Sequence, residues 1–297
     1  MGPVGRPRAV RRRVFGRSTQ RRALRLAEFG RLRRPTLILG GFHGDEPKSV
    51  HVVRLLTDEL LLRQAYSDGC HGLVLQAVAI GEGLIQNPTA WSTRPCHPAK
   101  RKKRKKVSGI FNGTDTLKAD RSRKRYLTPL SVVVVPVVNP DGYERRNRRN
   151  SRGVDLNRNF PTDDWQRGRR RSRYYGGGCA ASEPETRALI RLIERIRPRQ
   201  IITVHSISEH RFCNNFDGPG ARLARMLARG NGYPVRDSIG YPTPGSLGTW
   251  AGGERQIPTV TLELPSHHSP KRCWEDNRVA LLAAAATILP GGLPGRP

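Results

Sequence analysis

At 297 residues the chain has the length of one large domain or two small ones. It carries 54 Lys and Arg against 24 Asp and Glu, a formal net charge of +30 with a pI near 11.4. With 36% hydrophobic residues and no window approaching the roughly 18 apolar residues of a membrane span, membrane-spanning classes are excluded, while a nucleic-acid or anionic-surface partner is admitted. The charge is concentrated, however. Residues 1–34 hold twelve Arg against Glu28, and residues 94–125 hold thirteen Lys or Arg against Asp115 and Asp120. These appendage-like stretches supply 22 of the 30 net charges.

Residues 1–12, rich in Gly, Pro and Arg, read as a basic disordered tail. "RALRLAEFG" (22–30) reads as an edge strand, and "PTLILGG" (35–41) as a short buried strand ending in glycines. "EPKSVHVVRLLTDELLLRQ" (46–64) has apolar residues at helical spacing, completing a strand–loop–helix unit. "GLVLQAVAI" (72–80) suggests a strand. Residues 81–128 contain "AKRKKRKK", which cannot bury itself, and are expected to be a largely irregular basic insertion. "SVVVVPVVN" (131–139) is a buried strand. "SEPETRALIRLIERI" (182–196) reads as a helix opened by a capping box of Ser182 and Glu185. "RQIITVHS" (199–206) and "IPTVTLELP" (257–265) are buried strands, and "EDNRVALLAAAATIL" (275–289) is a terminal helix. The alternation predicts an α/β fold: one domain over 13–290, with a mixed, largely parallel twisted sheet covered by helices on both faces, and a C-terminal tail at 291–297.

The cysteines, Cys70, Cys96, Cys179, Cys213 and Cys273, are scattered, odd in number and never spaced as CxxC. That pattern predicts neither a disulfide framework nor a cysteine zinc site. The basic N-terminus is not followed by an apolar run of about 7–15 residues, so no secretory leader is expected. A soluble, cytoplasmic protein is the expectation.

Ligand sites of open α/β sheets lie beyond the carboxyl ends of the strands. There "FHGDE" places His43 and Glu46, "RQIITV" leads to His205, and "TVTLELP" contains Glu263. Two His and one Glu suffice for a catalytic zinc with an open position. Alone, His43 reads as a loop histidine and His205 as a strand-end histidine with a satisfied hydrogen bond. A carboxylate inside the apolar strand at Glu263 is costly unless it is ion-paired or functional.

"HGDE", "NPDGY", "GVDLNRNFP", "SEPET", "TVHS" and "TLELP" occur in the order found in zinc carboxypeptidases of the carboxypeptidase A type. The chain resembles that family over roughly 13–290, apart from 81–128. "HGDEPKSV" and "GYPTPGSLGTW" resemble its bacterial murein peptide amidase branch. The resemblance implies one zinc ion held by His43, Glu46 and His205, with Glu263 as general acid and base. It implies Asp155 as the carboxylate orienting the first histidine, and Asn157 with Arg158 as the pair binding the substrate's terminal carboxylate. Arg148, five residues before Gly153, matches the carbonyl-polarising arginine; Arg145, Arg146 and Arg149 beside it leave the register open. Tyr241 matches the tyrosine that closes over substrate. The implied reaction is hydrolysis of the amide before a C-terminal residue, with meso-diaminopimelate released from γ-D-glutamyl murein peptides as the expected case. Leu247, Gly248 and Thr249, which the resemblance places at the specificity pocket, show no acid to meet a cationic side chain. Two alternatives stand beside this: an aspartoacylase-like zinc deacylase, and a nucleic-acid-binding protein with an inactive core. The basic tails are expected to add weak, nonspecific binding to anionic polymers. The remaining arginines (Arg145, Arg146, Arg149, Arg167 and Arg169 to Arg171) are expected to form a solvated rim.

Overall fold

The structure is a computed structural model that describes residues 10–30, 32–67, 130–208 and 211–286. The chain divides into two units, Met1–Gln64 with Pro129–Pro297, and Ala65–Thr128; the description is of the first. The expected strand at 72–80 and the expected insertion at 81–128 lie outside the described residues.

The strands are β1 (Arg11–Arg17), β2 (Ala23–Gly30), β3 (Thr36–Leu39), β4 (Ser131–Val135), β5 (Gln200–Ile207), β6 (Cys213–Asp217), β7 (Val235–Arg236) and β8 (Thr259–Pro265). They form one mixed sheet in the order β1-β2-β4-β3-β5-β8-β6-β7. The central four, β4-β3-β5-β8, are parallel, and β2 and β6 flank them antiparallel. The helices are α1 (Pro47–Ser67), α2 (Pro140–Glu144), α3 (Pro184–Ile196), α4 (Ala221–Asn231) and α5 (Pro270–Ala285).

The central strands are buried on both faces, so their sequences run apolar without a break. On one face Ile38, Val132, Val134, Ile202 and Val260 share a core with Leu56 of α1, Leu227 of α4 and Leu281 of α5. On the other, Leu37, Val133 and Ile201 pack with Leu189 and Ile193 of α3 and with Phe160 and Trp250. This two-sided burial holds the carboxyl ends of β3, β5 and β8 in fixed register, with His205 directly across from Glu263.

Three sequence expectations are corrected. β2 is not an edge, because residues 11–17, assigned in part to the tail, fold back as β1 and pair with it. Gly16 permits this: a Cβ there would meet Ala188 Cβ of α3 at 2.5 Å. The capping box at α3 does not form. Its N-cap is Glu183, without a side-chain cap, because Ser182 Oγ donates to Glu183 Oε1 (2.8 Å) and Glu185 accepts from the Thr19 backbone N–H (3.0 Å). The terminal helix begins at Pro270, five residues early, on a Ser269 cap that accepts from Arg272 N–H. β6, α4 and β7 were not anticipated.

Candidate metal centre and active-site cavity

The loop after β3 carries His43 and Glu46. Gly41 there has φ +61°, and a Cβ on Gly44 would meet the Gly142 carbonyl carbon at 2.0 Å. The "NPDG" turn is therefore pressed against this loop. Asn139 caps α2 by accepting from Gly142 N–H, and its Nδ2 donates to the carbonyls of Phe42 (3.2 Å) and Arg148 (3.2 Å). One asparagine thus ties the His43 loop to the Arg148 loop.

His43, Glu46 and His205 converge, all buried. Their donor atoms lie within 4.8 Å of one another, the one such His, Cys, Asp and Glu group among the described residues that could hold a metal. His43 Nδ1 is 2.6 Å from Glu46 Oε1 and 3.2 Å from His205 Nδ1, and His205 Nδ1 is 3.3 Å from Glu46 Oε2. His43 Nε2 meets Asp155 Oδ1 at 3.1 Å. Asp155 thereby fixes the proton on Nε2 and turns the Nδ1 lone pair toward Glu46. A lone pair facing a carboxylate needs a cation between them. Burial opposes charge on His43, yet Glu46 and Asp155 outweigh it and raise its pKa to about 9. Burial likewise opposes the carboxylates, but His43 holds Glu46 and Asp155 well below the usual range. Burial lowers His205, and its Nε2 is buried without a hydrogen-bond partner. Two imidazoles and a carboxylate aimed at one point, with the proton as stand-in cation, fit a zinc ion.

Around this centre lies a cavity of about 630 Å³ lined by Arg148, Arg158, Tyr174, Tyr241 and Glu263 among others. Glu263 has no ion-pair partner among the described residues. Burial first, and Glu46 second, push its pKa up to about 8. Arg148 Nε donates to Asp155 Oδ2 (3.0 Å), and its NH1 lies 3.4 Å from Glu46 Oε1. Arg145 and Arg146 are exposed, and Arg149 donates to the carbonyls of Arg171 and Ser172, so Arg148 is the arginine of this run that lines the cavity. Asn157 Oδ1 accepts from Leu247 N–H (2.9 Å), and buried Arg158 donates to the Asn157 carbonyl (2.6 Å). Tyr241 faces the cavity with its pKa raised, by burial first and then by Glu263. All nine candidate residues are thus brought together. Sequence reasoning missed Tyr174, whose ring lies 5.4 Å from the Arg148 guanidinium, 5.2 Å from that of Arg158 and 6.2 Å from the Tyr241 ring. In "RRRSRYYGGG" nothing distinguishes it from Tyr175. "HHSPKRC" makes no metal group: His268 bonds to Asp276 (3.1 Å).

Residues 114–217 match the zinc carboxypeptidase family model. The fold is shared with a murein-tripeptide amidase and with an insect carboxypeptidase A. More particularly, the chain is 37% identical over 143 residues to murein peptide amidase A of Escherichia coli K12, covering 44% of this chain and 57% of that one. It is 36% identical over 144 residues to the Vibrio campbellii protein of the same name, covering 44% and 56%. The matched stretch therefore spans little more than half the length of these relatives. The crystal structure of murein-tripeptide amidase from E. coli O157 superposes with a TM-score of 0.58 at 26% identity, covering 96% of this chain and 94% of that one. Thrombin activatable fibrinolysis inhibitor shares the fold at 17% identity, with a TM-score of 0.60, over 94% of this chain and 68% of that one. No helix among the described residues is long and apolar enough to cross a membrane.

Proposed function

We propose that the protein is a zinc-dependent hydrolase that cleaves the amide bond before a C-terminal residue. The observation that carries this reading is one cavity in which a His43, Glu46 and His205 triad, an unpaired carboxylate at Glu263 and a buried guanidinium at Arg158 face the same space. Bound by the triad, zinc supplies the Lewis acidity that makes a water nucleophilic near neutral pH. Glu263, which lines the same cavity without an ion-pair partner among the described residues, would take a proton from the attacking water and return it to the leaving amine. Arg158 binds the free carboxylate through a planar fork, joined by Asn157 Nδ2. Asp155 holds the inner edge of Arg148 and leaves its outer N–H groups for the scissile carbonyl oxygen. Tyr241 and Tyr174 close the mouth.

The similarity to proteins named murein peptide amidase supports a murein peptide substrate, read here as γ-D-glutamyl-meso-diaminopimelate. The free thiols Cys179, Cys213 and Cys273 support a cytoplasmic location. Exposed arginines at 145, 146 and 169–171 add a salt-sensitive attraction for anionic polymers. The test is a product assay on zinc-loaded protein given L-Ala-γ-D-Glu-meso-diaminopimelate beside ordinary peptides, with Glu263→Gln as control. Free diaminopimelate from wild type alone is the expected result. Release of another C-terminal residue moves the substrate and keeps the chemistry. No release from any substrate sinks the reading.

A further inference from the structure

Two exposed loops beside the cavity carry arginines with nothing opposite them. Arg145 and Arg146 stand on one, and Arg167, Arg169, Arg170 and Arg171 on the other, and none of the six makes an ion pair among the described residues. Residues 165–182 contain no acid to offset the second group. A charge run on a loose loop is commonly a solvated face. These loops are fastened to each other. Arg149 Nη1 donates to the carbonyls of Arg171 (2.9 Å) and Ser172 (3.2 Å). Within the second loop, Ser172 N–H donates to the Arg169 carbonyl (3.0 Å), and Gly176 N–H closes the base on the Arg167 carbonyl (2.9 Å). Arg146 and Arg171 hold left-handed backbone, at φ 50° and 73°, which bulky side chains rarely adopt. A backbone set this way keeps like charges side by side, an arrangement that favours an anion between them.

The arginine lip is continuous with the cavity. Arg173 and Tyr174 follow it in the chain and both line the cavity. Arg173 lies 3.7 Å from Asp45, the residue before Glu46, while the Tyr174 ring covers Arg148 and Arg158. A substrate whose terminal carboxylate meets Arg158 has its scissile carbonyl at Arg148, beside Glu46. The chain before that carbonyl then leaves on the Asp45 side, past Arg173 and toward the lip. Guanidinium forks match carboxylates in two-point geometry. Neither loop, 144–149 or 166–173, holds an aromatic ring on which a nucleic-acid base could stack.

We infer that this lip binds the acyl half of the substrate, and that the acyl half is an acidic peptide segment. The inference rests on the hydrolase reading above and names the chemistry of the part of the substrate that is not released.

The test uses two peptides that both end in γ-D-glutamyl-meso-diaminopimelate and differ only before it, in a run of glutamates or a run of glutamines. In zinc-loaded wild type at about 0.01 M salt, KM for the glutamate peptide should be about 10-fold lower, with kcat within a few-fold, and the ratio should approach one at about 1 M salt. Replacing Arg169→Gln, Arg170→Gln and Arg171→Asn together, the last because asparagine tolerates left-handed backbone, should bring the low-salt ratio to within about two-fold of one. The glutamine peptide should be cleaved as before and the melting temperature retained. Fluorescence anisotropy of the same two peptides, labelled at the N-terminus, on Glu263→Gln protein without zinc separates the two readings. A glutamate preference there that the triple substitution abolishes upholds the inference even if no peptide is hydrolysed, in which case the hydrolase reading fails alone. Equal binding of the two peptides, or a preference that survives the triple substitution, overturns the inference and leaves the hydrolase reading standing. A labelled single-stranded oligonucleotide held more tightly than the glutamate peptide and not displaced by it would also overturn it, making the lip a nucleic-acid surface.

Discussion

Two buried acids of this protein live in contrasting surroundings. Asp141, in the turn after β4, is fully enclosed and fully served. It accepts from Ser18 Oγ (2.7 Å), Gln20 N–H (2.9 Å), Arg22 (2.9 Å) and Ser151 Oγ (3.1 Å), and Glu185 beside it in function accepts from Thr19 N–H. Glu263, in β8, is also buried, though it lines the cavity, and has no ion-pair partner among the described residues. Burial opposes ionisation at both. At Asp141 four hydrogen bonds outweigh it and the pKa falls; at Glu263 burial wins and the pKa rises. The chain can satisfy a buried carboxylate when the carboxylate's work is to pin the β1–β2 turn. Leaving one bare in the cavity marks a group whose partner arrives from outside.

The comparison breaks first at Glu263. Glu263→Gln keeps the shape and removes the exchangeable proton, so kcat of the zinc-loaded protein should fall by about 1,000-fold while zinc binding persists. An active glutamine variant would reduce Glu263 to a structural acid. The same residue should shape stability in the metal-free protein. Below pH 4.5 folded and unfolded chains both hold its proton. Above that the unfolded chain ionises while the folded one keeps the proton up to about 8, so stability falls as pH rises through this window, by at most about 1.4 kcal/mol per pH unit. His43, raised to about 9, adds a loss of the same sign above 6.5, so Glu263 is isolated by difference. Denaturant midpoints of chelator-treated wild type and Glu263→Gln across pH 4–9 should converge at the acid end and diverge at the alkaline end.

How much of this was legible beforehand follows from how local each signal is. The parallel core strands were readable because two-sided burial leaves unbroken apolar runs such as Val132 to Val135. Glu263 stood out because it interrupts an apolar strand, whereas His43, Glu46 and His205 read singly as ordinary loop and strand-end residues and took roles only from the order of the family motifs. β6 was not: "CNNFD" carries two asparagines, and Asn214 is buried only because Asn231 and the Tyr233 carbonyl receive it from α4 and the loop beyond. In the arginine-rich stretch at 139–161 the resemblance pointed to Arg148 and Arg158 but left the register of Arg148 open and gave Asn139, Asn150 and Asn159 no role. Asn139, Asn150 and Asn159 fasten loops, while Arg148 and Arg158 turn inward, and only distant partners such as Glu183 and Gly176 distinguish them. Ser182 and Glu185 matched a local capping pattern that longer-range partners dissolved.

The remaining predictions sharpen the contrast. Asp141→Ala strands Ser18, Gln20, Arg22 and Ser151 together, and should cost about 2–4 kcal/mol in urea unfolding with little change in hydrolysis per folded molecule. Because the pKa of Asp141 is depressed, its contribution is present above the unfolded value near 3.8 and is lost as pH falls further. Arg158→Lys is the subtler probe. The positive charge stays, but the planar fork beneath Tyr174 is replaced by a point charge, and the donation to the Asn157 carbonyl is lost. Loss of one of two parallel hydrogen bonds to a carboxylate should raise KM by about 10-fold and leave kcat within a few-fold, since Glu263 and the metal ligands are untouched. A substrate with its terminal carboxylate amidated should make wild type and Arg158→Lys alike. If the lysine variant instead lost kcat at unchanged KM, Arg158 would act on the reacting carbonyl, and the division of work between Arg148 and Arg158 would have to be reversed.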